Sequence, residues 1–254
     1  MSSGRLLELD TAEAITEASG THPFVAHDLS PTFVAPALHL AGTDTVAWSQ
    51  EWADGRTGVV VLGDPEDVAT LAVDPGFVAH VHAWHPDHVS APADAYDAVA
   101  ASLGLRGGNA WDRMATTSPP PAIPAESDVT WFDGDEDELT TFVRAHNPRP
   151  HALPGRHAEQ RWVVIREASP IVACGCTEPG NTTVPLIGGI AVDQTQRGRG
   201  LGAAVTAYLT RDGLDREGAC TLGVFADNAH ARHLYERLGY AVTLHARTGF
   251  PVRH

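Results

Sequence analysis

Residues 196–203 read QRGRGLGA and lie between an apolar run, PLIGGIAV at 185–192, and a stretch in which Leu201, Ala204, Val205 and Tyr208 recur at helical spacing. A strand that passes through alternating glycines into an amphipathic helix commits this part of the chain to a layered α/β arrangement. Gly198, Gly200 and Gly202 let the backbone come close to a ligand. The free N–H groups at the helix start, together with the helix dipole, favour an anion there. Arg197 and Arg199 can add charge-assisted hydrogen bonds. The segment is therefore predicted to cradle a diphosphate.

Two phosphate ligands fit the spacing poorly. The pattern Gly198-x-Gly200-x-x-Ala203 is a permissive match to a dinucleotide fingerprint, but that site places its first glycine directly after the strand, whereas residues 193–197 intervene here. A nucleoside triphosphate loop would need a G-K-[ST] run, and none follows the glycines.

The chain of 254 residues is long enough for one large domain or two of about 120 residues each. The sharpest composition shift is at residues 115–126, ATTSPPPAIPAE, whose four prolines sustain neither a helix nor a central strand. This divides the chain into an α/β domain at 1–114, a Pro-rich linker at 115–127 and a second domain at 128–254. In the first, helical spacing runs from Leu6 to Ala18, a strand covers 57–63, and Asp64-Pro65-Glu66 opens a helix reaching Leu71 and Ala72. Phe77 to Trp84 reads as a strand and Ala93 to Leu103 as a helix closed by Gly104. In the second, strands are expected at 129–132, 161–167, 171–177, 185–192, 221–225 and 240–245, with helices at 136–145, 201–217 and 228–238. The tight turn at 168–170 makes its two flanking strands antiparallel. The fold class is a mixed α/β sheet with helices on its faces.

Charge narrows the partners. The formal net charge is −15, with 17 basic against 32 acidic residues, which disfavours nucleic acid and anionic membrane surfaces. All 17 basic residues are arginine, so no lysine serves as nucleophile or Schiff-base former. No run of about 18 apolar residues and no apolar leader core after Met1 is present, so the chain reads as cytoplasmic. Cys174, Cys176 and Cys220 are too few and wrongly spaced for a disulfide framework or a thiolate metal site.

Downstream of the glycine loop, residues 228–240 read NAHARHLYERLGY. On a helix Ala231, Leu234 and Leu238 share a face, Asn228 and Tyr235 fall together at its edge, and Gly239 stops it before Tyr240 opens a strand. Tyr235 can project a phenol into a cleft or sit as a hydrogen-bonded core aromatic, and Asn228 can order a ligand or cap the helix.

Together the two segments resemble the GNAT (Gcn5-related N-acetyltransferase) superfamily. Arg197-Gly198-Arg199-Gly200-Leu201-Gly202 is similar to its acetyl-CoA signature [QR]-x-x-G-x-[GA], and residues 228–240 are similar to its N-x-x-A-x-x-L-Y-x-x-L-G-[FY] motif. The resemblance covers the chain from Val129 onward. It implies a GNAT fold there and transfer of an acetyl or other short acyl group from acetyl-CoA to a primary amine, first of all that of a small molecule. It implies that Ile190, Ala191 and Val192 pair with the pantetheine arm by strand addition and that residues 197–203, including Leu201 and Ala203, hold the diphosphate. It implies Tyr235 as general acid to the departing thiolate and Asn228 as an ordering group. Family members often carry a Glu on the strand before the loop as base, but residues 183–192 contain no acid, leaving Glu178, Asp193 or a water relay.

No metal is expected. His80 and His82 would share a strand face in the dense run His80-x-His82-x-x-His85-x-x-His88, a pattern open to a metal site or to ordinary, partly exposed strand and turn residues. Cys174 and Cys176 read as packing residues, and the acids at 133–138 as a helix start. Some superfamily members are tandem, so the first half is read as a degenerate copy that walls the acceptor cleft, covers a sheet edge or forms a homodimer contact. The rival readings are a non-catalytic acyl-CoA sensor, an acetyltransferase of protein N-termini or lysines, and a dinucleotide-dependent enzyme.

Overall fold

The computed structural model describes residues 4–52 and 55–252; Met1, Ser2 and Ser3, part of the stretch read for a leader, lie outside the described residues. In chain order its elements are β1 (Leu6–Leu9), α1 (Ala12–Ala18), α2 (Pro23–Asp28), β2 (Val34–Leu40), β3 (Val46–Glu51), β4 (Thr57–Leu62), α3 (Pro65–Ala72), α4 (Pro75–Trp84), β5 (His88–Pro92), α5 (Tyr96–Leu103), β6 (Leu105–Arg106) and β7 (Ala110–Thr116). There follow β8 (Thr130–Trp131), α6 (Glu136–His146), β9 (Arg161–Arg166), β10 (Ile171–Glu178), β11 (Leu186–Val192), α7 (Leu201–Glu217), β12 (Cys220–Phe225), α8 (Ala229–Arg237) and β13 (Ala241–Pro251). No described helix is long and apolar enough to cross a membrane.

The chain forms two compact units. Unit 1 comprises Met1–Arg113, Phe225–Asp227 and Val242–His254; unit 2 comprises Met114–Val224 and Asn228–Ala241. From Val242 onward β13 belongs to unit 1, where Ala246, Arg247, Thr248 and Gly249 pair antiparallel with Pro92, Ala91, Ser90 and Val89.

In unit 1 the strand order is β1-β2-β3-β4-β5-β13. The β4·β5 pair is parallel and the other neighbours are antiparallel. Period-2 alternation divides its core: Val59 and Val61 face α3, α4 and α5 with Leu71, Phe77 and Val99, while Val60 and Leu62 join Ile15, Phe24 and Trp48 on the opposite face. In unit 2 the order is β12-β11-β10-β9-β8, and β11·β12 is the parallel pair. Leu139, Phe142 and Val143 of α6 pack on Trp162, Cys174, Cys176 and Ala191. The two units thus repeat one strand order and pairing, with the helix pairs α1/α2 and α3/α4 in unit 1 where unit 2 has the single helices α6 and α7.

Several expectations are corrected. Phe77 to Trp84 is helix rather than strand: Asp74 accepts from the N–H groups of Gly76 and Phe77, and Pro75 at the first helical position fits only that start. His80 and His82 therefore point to different sides, and His80 contacts Glu8 at 3.2 Å. The helix expected from Leu6 is split, because Thr11 caps α1 and leaves Leu6–Leu9 to pair as β1. Ala115 and Thr116 complete β7, and the prolines after them are tied down: Arg211 of α7 donates to the carbonyls of Pro120 (2.8 Å) and Pro121 (3.2 Å) and to Glu126 (2.7 Å). The first three turns of α7 are buried around most of their circumference rather than along one stripe, with Thr206 and Thr210 bonding back to the carbonyls of Gly202 and Thr206.

Candidate active site

The site is built on an irregularity in β11. Against β10, Cys176 pairs with Gly188 and Cys174 with Ala191, so Gly189 and Ile190 together oppose Gly175. This is a β-bulge, which bends a strand and turns its edge away from a neighbour. Gly189 takes φ +64°, and a Cβ there would lie 2.4 Å from the Trp162 ring, so both backbone and packing require glycine. On its other edge β11 pairs with β12 only through Leu186↔Thr221 and Ile187↔Leu222. Past the bulge Ile190, Ala191 and Val192 form no ladder pair with β12 among the described residues. Their backbone edge is open to an extended ligand. Ala191 is buried, and Ile190 and Val192 are half-buried.

The open edge leads to the glycine loop. Asp193 accepts from the backbone N–H of Thr195 (2.8 Å) and its hydroxyl (2.7 Å), closing a 3-10 turn over Gln194–Gln196. Gly198 and Gly200 have φ +83° and +79° with open space where a Cβ would be, so the loop needs glycine for its path rather than for room. Gly200 is the N-cap of α7 and contributes no side-chain bond, which leaves the first N–H groups at Leu201, Gly202 and Ala203 without a side-chain acceptor. That end of a 17-residue helix is an anion site by geometry and dipole. The flanking guanidinium groups are held by protein: Arg197 donates to the His146 carbonyl (3.3 Å), and Arg199 pairs with Glu167 and Gln196.

Helix α8 lies beside this start, since a Cβ on Gly202 would be 3.7 Å from Leu234. Asn228 accepts from the Ala231 N–H at 3.2 Å, so it caps α8. Tyr235 is 9% exposed and meets Tyr240 edge-on at 6.2 Å. The Tyr240 hydroxyl bonds Thr210 at 2.7 Å, whereas that of Tyr235 has no hydrogen-bond partner among the described residues. Burial pushes the Tyr235 phenol up to about 12, so it stays protonated at neutral pH.

The two candidate bases part company. Asp193 is half-buried, and its Thr195 bonds hold it below the usual carboxylate range. Glu178 is buried at the end of β10 and leans over Gly188, next to the bulge: a Cβ on Gly188 would lie 3.0 Å from its Oε2. Gln160 donates to its Oε1 at 2.7 Å, and His151, itself exposed, stands 3.7 Å from its Oε2. Neither Gln160 nor His151 carries a periodic or motif signal in the sequence. A cavity of about 290 Å³ opens on the same unit, lined by Trp131, Phe132, Glu136, Leu139, Pro154, Gln160, Arg161 and Trp162.

Comparison with known proteins agrees with this geometry. Residues 123–240 match the model of the acetyltransferase (GNAT) family. A GCN5-related N-acetyltransferase from Sphaerobacter thermophilus shares the fold at TM-score 0.53 and 18% identity over 96% of this chain and 94% of its own. A GNAT-family acetyltransferase from Colwellia psychrerythraea gives 0.52 and 11% over 98% and 100%. One from Novosphingobium aromaticivorans gives 0.51 and 18% over 95% and 96%. No curated relative matches the chain in sequence. An open strand edge, a glycine loop and an uncapped helix start in the matched segment, on a fold shared along nearly the whole length, make residues 123–240 a domain of the acetyltransferase (GNAT) family.

Proposed function

We propose that the protein moves an acetyl or other short acyl group from acyl-CoA to the primary amine of a small molecule, acting in the cytoplasm. The observation that carries this reading is the open edge of β11 past Gly189, which runs directly into the uncapped start of α7. An extended pantetheine arm would pair with Ile190, Ala191 and Val192 as an added strand. The diphosphate would sit on the N–H groups of residues 201–203, with Arg197 and Arg199 turning from their protein partners toward it.

The neutral amine's lone pair forms a bond to the thioester carbonyl carbon, while a backbone N–H of β11 stabilises the oxyanion. The C–S bond breaks as the intermediate collapses, the sulfur takes a proton from Tyr235, and the nitrogen's surplus proton restores the phenol. A free phenolate is not formed: with the phenol at about 12 and a thiol near 8.5, full transfer would run uphill by about 5 kcal/mol. Tyr235 therefore acts by hydrogen-bonding sulfur as its charge develops. Asn228 serves by fixing the start of α8, and through it the position of Tyr235.

Unit 1 is read as a degenerate copy. Its β3·β4 ladder runs unbroken from Val46↔Leu62 to Glu51↔Thr57, with no bulge. Two residues, Gly63 and Asp64, join β4 to α3 where unit 2 has its glycine loop.

Replacing Tyr235 with Phe tests the assignment: turnover of acetyl-CoA with an accepting amine should fall about 100-fold or more, while acetyl-CoA still raises the melting temperature. Unchanged turnover would refute the role of Tyr235. Acetyl-CoA binding without turnover across an amine panel would instead favour a sensor.

A further inference from the structure

Thr206 and Thr210 stand one turn apart on α7, and both are completely buried. Threonine is a weak helix former, and a hydroxyl turned back onto the preceding turn slightly destabilises a helix, so a buried pair of them needs a cause outside the helix. Their protons are committed: Thr206 Oγ1 donates to the Gly202 carbonyl at 2.8 Å and Thr210 Oγ1 to the Thr206 carbonyl at 2.7 Å. The 2.7 Å contact between Thr210 Oγ1 and the Tyr240 hydroxyl therefore has one direction, with Tyr240 as donor. A line of buried hydrogen bonds thus runs from Tyr240 along α7 to Gly202, one of the residues at the uncapped helix start.

The other partner of Tyr240 is Tyr235. Gly239, at φ +92°, turns the chain at the end of α8, and the Tyr240 N–H donates to the Tyr235 carbonyl at 3.1 Å. The two rings meet edge-on, 6.2 Å between centroids and 61° between planes. The Tyr235 ring has no tether through its own hydroxyl among the described residues, so the neighbouring ring limits its side-chain torsions. Tyr240 is 3% exposed and is held at both ends, by its backbone bond to Tyr235 and by its hydroxyl on α7. Seven residues of helix, about 10 Å, separate Ala203 from Thr210. One rigid element therefore carries both the start that would hold the diphosphate and the hydroxyl that holds Tyr240.

Resting on the transferase reading, we propose that Tyr240 is a positioning residue for the general acid: its hydroxyl, anchored on Thr210, holds the ring against which Tyr235 lies, so that the helix fixing the diphosphate also sets where the Tyr235 phenol meets the thioester sulfur. Tyr240 acts through Tyr235 and not on the acyl group. Moving a catalytic group by about 1 Å costs up to about 100-fold in rate, and losing one hydroxyl tether with the ring retained allows a smaller displacement, for about tenfold.

The test is a pair of double-mutant cycles. Tyr240→Phe keeps the ring and removes the tether, and Thr210→Val removes the acceptor; each should lower kcat about tenfold with KM for acetyl-CoA changed by less than about twofold. Thr210→Ser keeps the oxygen and should retain turnover to within about twofold. In a Tyr235→Phe background neither Tyr240→Phe nor Thr210→Val should lower kcat further, because the hydroxyl they position is gone. Equal losses in both backgrounds would mean that the two residues act through general packing, and would overturn the assignment. A second readout is independent of turnover. The chain has four tyrosines, so ring-labelled tyrosine gives few NMR signals, and the Tyr235 signal is the one lost in Tyr235→Phe. It should shift in Tyr240→Phe and Thr210→Val and stay in place in Thr210→Ser. An unmoved signal in the first two overturns the tether even if catalysis falls. A shifted signal in a protein that turns over no amine leaves the tether standing and removes the transferase reading.

Discussion

Two glycines with positive φ offer a measurement of what fixes the bulge. At Gly198 a Cβ would meet nothing within 4 Å, so Gly198→Ala carries only the cost of a left-handed residue, about 1 kcal/mol. At Gly189 the same conformational cost applies at φ +64°, and the new methyl also falls 2.4 Å and 2.7 Å from two carbons of Trp162. Trp162 is 7% exposed and wedged among Leu139, Cys174 and Cys176, so it cannot retreat freely, and overpacking of this kind costs a further 1–3 kcal/mol or so. Gly189→Ala should therefore destabilise by about 2–4 kcal/mol, a fall in melting temperature on the order of 5–15 °C, against about 2–4 °C for Gly198→Ala. Thermal unfolding by circular dichroism reads both. Acetyl-CoA affinity should fall in both variants, at Gly189 through the strand edge and at Gly198 through the loop path. Should the two variants prove equally stable, the Trp162 contact does not hold the bulge and the argument for an open β11 edge loses its cause.

Three other outcomes follow from particular contacts. Arg199 is held by Glu167, so Glu167→Gln should free the guanidinium and tighten acetyl-CoA binding by a fewfold in low salt, an effect that isothermal titration would show fading as salt rises. Asp28 and Arg113 pair at 2.7 Å with both side chains about 5% exposed; Asp28→Ala strands a buried guanidinium and should cost about 3–5 kcal/mol in urea unfolding, whereas a loss under about 1 kcal/mol would mean that water reaches the pair. Burial pushes the Cys174 and Cys220 thiols from the usual 9 to about 12, and Tyr235 from 10 to about 12. These groups ionise in the unfolded chain before they do in the native one, so stability should be full below about pH 9 and decline steadily above it, and a melting temperature constant from pH 8 to 10.5 would contradict their burial.

The chemistry-bearing segments of unit 2 were legible because each is local. A strand, alternating glycines, a helix and a capped second helix announce themselves within about fifteen residues, and all four stand where their spacing put them. What was hidden depends on tertiary context. The run at 34–40 carries Pro36, which weakens any strand signal, and the run at 46–51 contains Ser49 and Gln50, polar side chains fully buried in the core. Gln50 is tolerated there because its Oε1 accepts from the Trp48 indole at 2.8 Å and from the Ser30 N–H at 3.0 Å, and its Nε2 donates to the Asp28 carbonyl at 3.1 Å; no window around residue 50 reveals the partners at 28 and 30. The stretch at 77–84 read as strand because Val and His alternate in it, yet the Asp74 cap and Pro75 decided the matter from outside that window. Gln160 and His151 beside Glu178 were invisible for the same reason: a loop residue acquires its role from the strand end it happens to meet.

The repeated topology sharpens what makes one unit a candidate enzyme. Strand order and pairing are the same in both, so neither the sheet nor the parallel pair supplies the chemistry. The differences are small and local. Unit 1 keeps β3 and β4 in continuous register, and its β4·β5 pairing extends over Gly58↔His88, Val59↔Val89 and Val60↔Ser90. Its α3 starts immediately after Asp64 with Glu66 and Asp67 in the first turn, so three carboxylates occupy the dipole end where a diphosphate would bind. In unit 2 the corresponding helix starts with glycine, leucine and glycine and no acid. Unit 2 differs by a single inserted residue at a bulge, a loop with two positive-φ glycines and a helix start without carboxylates, the three features on which the proposed cofactor slot rests. Introducing any one of these into unit 1 would leave the other two obstacles in place, so a diphosphate site there would need the whole local arrangement and not one added side chain.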